Sequence, residues 1–155
     1  MRDETLQELS EHFVVIIPLL QRHVFDKLAL PETSPKRLPP AAYRVLMLVY
    51  ELGCATVSDL SSRLQITRSN MSPLLDKLEK HEMIVRKSSE TDRRIVIIEL
   101  APAGETLCRS CHEQMSQRFK EMLTSLEDED LTDLSLHMAK LKSILIKASG
   151  ENRTT

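Results

Sequence analysis

The chain has 155 residues, of which 41% are hydrophobic but only 3% aromatic, so it fits a single domain with an aliphatic core. Its net charge is −2, and only residues 57–100 are positive, with eight basic against seven acidic groups. Any nucleic-acid binding must therefore rest on local placement of a few Arg and Lys, doubled in a dimer.

No signal-peptide pattern opens the chain and no apolar run nears the ~18 residues of a membrane span, so a secreted or membrane-bound product is not expected. Residues 4–29 read as a long first helix, with Leu6, Leu9, Phe13, Ile16, Ile17, Leu20, Val24 and Leu28 repeating every three or four positions. Pro18 should kink or split it. The run Phe13 to Ile17 is apolar all round, which predicts burial on several sides, including against a second chain. Four prolines between 31 and 40 predict a stiff extended connection. A second helix is expected from Pro40 to Leu52, with Gly53 as its stop.

Thr56-Val57-Ser58-Asp59 has the spacing of a capping box and opens a short helix ending near Leu64. After the turn Gln65-Ile66-Thr67, another helix runs from about Arg68 to Lys80. Two short helices joined so tightly form a helix-turn-helix. Met83 to Lys87 and Arg94 to Leu100 are rich in β-branched residues and read as two strands, with a polar hairpin tip from Ser88 to Arg93. A long helix follows from Pro102 to about Thr124. The acidic run Glu127 to Asp130 suits the start of a last helix, whose Leu131, Leu134, Met138, Leu141 and Leu145 form a coiled-coil-like seam. The expected fold is mostly α with a small β-hairpin wing.

In the 68–80 helix, Met71, Leu74, Leu75 and Leu78 share a core-facing side. The opposite side carries Ser69, Asn70, Ser72, Pro73, Lys77 and Lys80. Short hydrogen-bonding groups near the N-terminus suit base edges in a major groove, Pro73 suits a thymine methyl, and the lysines suit phosphate. Pro73 would cost about 3 kcal/mol deep inside a helix. The cost shrinks if Asn70 rather than Thr67 is the cap, and the sequence leaves both open. Asp76 also points outward, where pairing with Lys80 one turn on is expected.

Residues 38–104 resemble the winged helix-turn-helix of the MarR family (multiple antibiotic resistance regulators). The stretch from Ile66 to Lys80 is similar to that family's recognition helix, and Asp92-Arg93-Arg94 followed by a strand and Gly104 resembles its wing signature. The chain departs from the pattern at Glu82, where the family usually has Gly, and at Ala101, where it usually has Thr. The resemblance implies a single domain over 1–155, with residues 38–101 as the DNA-binding lobe and 1–30 and 102–147 as flanking dimerisation helices. It implies a cytoplasmic, homodimeric regulator that binds double-stranded DNA at a pseudo-palindromic operator, most simply as a repressor. Arg68, Ser69, Asn70, Ser72, Pro73 and Lys77 would then contact DNA from the recognition helix. Arg94, with Arg93 second, would enter the minor groove from the wing, and Asp92 would orient that Arg. A small, often aromatic or phenolic acid would act as effector, with Phe13, Tyr43, Met47 and Met115 as candidate lining groups, although core packing is the simpler role for each.

Other readings compete with this one. Cys108, Cys111 and His112 have helical spacing that could gather three ligands for a metal or a redox-sensing thiol pair. Cys111, however, falls on an apolar stripe, where a reduced Cys packs as a small hydrophobe. An odd number of Cys also fits reduced thiols better than a disulfide framework. No nucleophile elbow, Gly-rich phosphate loop or framed carboxylate pair is present, so neither an enzyme nor a cofactor is expected. A winged helix used only for protein interaction is the remaining alternative.

Overall fold

The computed structural model describes residues 1–27, 38–89 and 91–148. The expected proline-rich connection at 31–40 lies almost wholly outside the described residues. The elements in chain order are α1 (Arg2–His23), a 3₁₀ turn (Phe25–Lys27), α2 (Pro40–Leu52), β1 (Cys54–Thr56), α3 (Val57–Leu64), α4 (Arg68–Lys80), β2 (Ile84–Ser88), β3 (Val96–Leu100), α5 (Pro102–Leu123) and α6 (Asp128–Ala148). They fall into two compact units, one of Leu28–Met115 and one of Met1–Lys27 with Ser116–Thr155.

The first unit is a winged helix. Pro40 starts α2 at a position where its missing amide hydrogen has no helical partner, and Gly53 ends it at φ 79°. The sheet is three-stranded and antiparallel in the order β1-β3-β2. The hairpin strands were expected, but β1 was not. Cys54-Ala55-Thr56 pairs with Ile97–Glu99, and three residues are too few to show an alternating pattern. Val45, Leu46 and Val49 of α2, Leu60 of α3, Met71, Leu75 and Leu78 of α4 and Ile98 of β3 are all at most 1% exposed and form one aliphatic core. Leu107 and Cys108 of α5 join it.

Gly104 belongs to the same core edge. A Cβ there would lie 2.0 Å from the Met83 carbonyl oxygen, a backbone atom at the start of the wing. That oxygen also accepts the Ala101 amide hydrogen at 3.0 Å, so the beginning of α5 is locked to the beginning of β2.

In the second unit, α1 runs unbroken through Pro18, correcting the expected split. The proline ring removes one amide hydrogen, but the helix continues beyond it from Leu19 to His23. Arg22 and His23 lie in its last turn, where the helix dipole favours cations. None of the described residues of α1 or α6 is buried. Phe13, Val14 and Val15 are 63%, 65% and 62% exposed, and Leu141 and Leu145 are 52% and 56% exposed.

Candidate nucleic-acid interface

The helix-turn-helix is built by local hydrogen bonds. Thr56 Oγ1 accepts the Asp59 amide hydrogen at 3.1 Å, and the Asp59 carboxylate accepts the Thr56 amide hydrogen at 3.1 Å, so the capping box is complete. The Thr56 hydroxyl also donates to that carboxylate at 2.6 Å, and this bond, with the one from the Thr56 amide, holds the Asp59 carboxyl below its ordinary value. The turn passes through Gln65 in the left-handed region, φ 53°, and the Ile66 amide closes on the Ser61 carbonyl at 3.0 Å.

Helix α4 then begins with Thr67 as its cap, which corrects the alternative that placed Asn70 there. Thr67 makes no side-chain cap bond and instead shares a 3.0 Å hydrogen bond with Ser69 Oγ. Pro73 is therefore interior, at the sixth helical position, and leaves the Ser69 carbonyl without its usual amide donor. Burial of Met71, Leu75 and Leu78 turns Ser69, Asn70, Ser72 and Pro73 to the exposed side, while Lys77 is half-buried.

Arg68 reaches back to α3, where its Nη2 donates to Ser58 Oγ at 2.8 Å. This contact places the first residue of α4 beside the first turn of α3. Across from them stands the wing. Asp92 Oδ1 accepts the Arg94 amide hydrogen at 2.9 Å, and the Asp92 carbonyl accepts the Ile95 amide hydrogen at 2.9 Å. The carboxylate thus holds the Arg94 backbone rather than its guanidinium. A cleft of about 450 Å³ lies between these parts, lined by Thr56, Val57, Ser58, Arg68, Ser72, Arg94, Ile95 and Val96.

The structure therefore brings Arg68, Ser72 and Arg94 to one cleft. Ser69, Asn70 and Pro73 lie exposed on α4 and Arg93 is exposed at the hairpin tip, but none of them lines it. Ser58, Ile95 and Val96 were not singled out from sequence. Nothing in their local pattern shows that α3 and the wing would approach α4 from opposite sides. Asp76 does not take the expected Lys80 partner. It pairs with Arg86 of β2, whose Nε also lies 3.4 Å from Glu79 Oε2. A tertiary partner from the packed strand displaces the weak pair within the helix.

The other expected sites are not assembled in the same way. Burial pushes the Cys108 thiol up to about 12, with Cys111 adding in the same direction, and raises Cys111 too. His112 is exposed, and among the described residues no group of three His, Cys, Asp or Glu is placed to hold a metal. Tyr43 and Met47 pack half-buried against the lobe core and Met115 is half-buried, while Phe13 lies exposed on α1 in the other unit.

Residues 38–96, spanning α2 to the first residue of β3, match the family model for MarR. The winged-helix lobe of this chain is thus similar to that of the MarR family. The chain is similar over 137 residues, at 26% identity and 88% of either chain, to YsmB, an HTH-type transcriptional regulator of Bacillus subtilis. It is 26% identical over 142 residues to the multiple antibiotic resistance protein MarR of Salmonella typhimurium, covering 88% of this chain and 99% of that one. The fold is also that of a MarR family protein from Bacillus stearothermophilus, with a TM-score of 0.74 at 23% identity over 94% of this chain and 98% of that one. Streptococcus pneumoniae FabT, solved in complex with DNA, has a TM-score of 0.68 at 19% identity over 92% and 99% of the two chains. MarR-family proteins are transcriptional regulators and not enzymes, and this chain carries their winged helix. Among the described residues no helix is long and apolar enough to cross a membrane.

Proposed function

We propose that this regulator acts as a homodimer that reads a pseudo-palindromic operator, with α4 in the major groove and the wing in the flanking minor groove. The observation that carries the reading is the meeting of Arg68 and Ser72 of α4 with Arg94 of the wing around one cleft. Two elements that must enter neighbouring grooves have to be held at a fixed separation, and the Arg68–Ser58 bond and the Asp92 turn hold each of them. The DNA-bound FabT neighbour, of the same fold, supports this use of the lobe.

Dimerisation is supported by the exposed apolar faces of α1 and α6, which a second copy would cover. A dimer seated across an operator blocks it by occupancy, so repression is the mode this architecture favours. A small molecule that prefers an arrangement unable to span both half-sites would release it.

The test begins with purified protein enriching fragments from genomic DNA. On the fragment recovered, Arg94→Ala should cost about 1–3 kcal/mol and lower the salt dependence of binding. Asn70→Ala should weaken the operator but not a scrambled duplex, whereas Lys77→Ala should weaken both. Unchanged affinity and salt slope in Arg94→Ala would refute the wing assignment.

A further inference from the structure

The exposed stripe of α4 does not end in basic groups alone. One turn beyond Ser72 and Pro73 it carries Asp76, and Glu79 follows three residues later, with side chains 66% and 47% exposed. Carboxylates on a surface that must approach phosphates oppose binding. Neither is bare. Arg86 pairs in register with Ile98, whose side chain is in the core, so the two leave the sheet on the same face, the one packed against α4. From there the Arg86 Nη2 lies 2.5 Å from Asp76 Oδ1, and its Nε lies 3.4 Å from Glu79 Oε2. The Arg86 side chain is 30% exposed, less than either acidic side chain it meets.

We propose that Arg86 is a positioning residue for DNA binding, which masks Asp76 and Glu79 and draws them toward the wing strand without itself contacting DNA. The inference rests on the DNA-binding reading above. With Arg86 the three groups sum to a charge of −1, and without it to −2, next to Lys77 and Lys80 on the same helix. Ion pairs this exposed contribute little to folding. Losing the mask should therefore show in DNA affinity and not in the melting temperature. The effect should act on all sequences, since it works on phosphates.

The test uses the full chain with mixed-sequence genomic duplex DNA at low and high salt. Arg86→Ala is expected to bind about 10-fold more weakly at low salt, with the gap closing as salt rises. Arg86→Lys, which keeps the charge, should retain most of the affinity. Asp76→Asn with Glu79→Gln should bind at least as well as wild type, and adding Arg86→Ala to that pair should leave binding no weaker than wild type. A triple variant as weak as Arg86→Ala would mean that Arg86 contacts DNA itself and would overturn the proposal, as would an unchanged Arg86→Ala. Loss of operator binding alone in the Asp76→Asn, Glu79→Gln variant would show a carboxylate reading a base, and would overturn it too. Wild-type protein that fails to bind the duplex at low salt would sink the DNA-binding reading itself, an outcome distinct from all of these.

Discussion

Glu82 follows α4 in the left-handed region, at φ 55°, where the Met83 amide closes on the Leu78 carbonyl at 2.9 Å. A residue with a Cβ is strained there by about 1 kcal/mol, and Gly is not. Glu82→Gly is thus expected to stabilise the fold by about 1 kcal/mol, read as a higher melting temperature. Gly104 has the opposite demand. It needs no special dihedral, but the 2.0 Å approach of the Met83 carbonyl leaves no room for a methyl group, so Gly104→Ala should cost about 3 kcal/mol in the same melts. The thiols make a third case at this scale. The fold raises Cys108 from 9.0 to about 12 because burial disfavours its thiolate. A folded value above the unfolded one means that this contribution is complete below pH 9.0 and is lost as pH climbs toward 12. Melting temperatures should fall over that alkaline interval, and less steeply in Cys108→Ala. At neutral pH an alkylating reagent should label the exposed Cys54 of the folded protein and spare Cys108.

At the scale of elements, α4 carries a defect in its middle. Thr67 is its cap, so Pro73 sits where an amide hydrogen should meet the Ser69 carbonyl. Pro73→Ala restores that donor and removes the ring, and should stabilise the helix by up to about 3 kcal/mol. Asn70→Ala, with no capping role to lose, should leave the melting temperature unchanged. A fall of about 1 kcal/mol in Asn70→Ala would return the cap to Asn70. These assignments show what the chain disclosed and what it withheld. Helices α2 to α4 were legible because their stops and starts are chemical, in Gly53, Thr56 with Asp59, and the three-residue turn. Strands β2 and β3 were legible from β-branched residues, although each begins later than expected. Strand β1 was not legible, because its three residues become a strand only by pairing with β3. The partners of Arg68, Asp76 and Asp92 were hidden for a similar reason. Ser58 and Arg86 are each ten residues from the group they meet, and Asp92 acts through the Arg94 backbone, which no residue pattern marks.

For the whole molecule, the decisive feature is that two helices leave their apolar sides uncovered. Phe13, Val14 and Val15, from the all-round apolar run of α1, and Leu141, Ile144 and Leu145, at the spacing of a buried face on α6, are each at least half exposed. Apolar area of this kind in contact with water is unfavourable by about 25 cal/mol per Å², so a partner that covers it gains in proportion. A second copy is the partner proposed, since a symmetric dimer presents the same faces on both chains and sets two α4 helices to two half-sites. Leu141→Asp places a charge in the middle of the seam that a dimer would bury, at a cost of several kcal/mol, while in a monomer the same side chain meets only water. Sedimentation should therefore show the wild type as a dimer at micromolar concentration and the variant as a folded monomer. DNA binding should follow, because linking two half-site contacts raises avidity by about 10²–10⁴ over either alone. Leu141→Asp should lose affinity of that order on a two-half-site operator and very little on an isolated half-site. A wild-type chain that sediments as a stable monomer, or a variant that remains dimeric, would show that these faces serve another purpose.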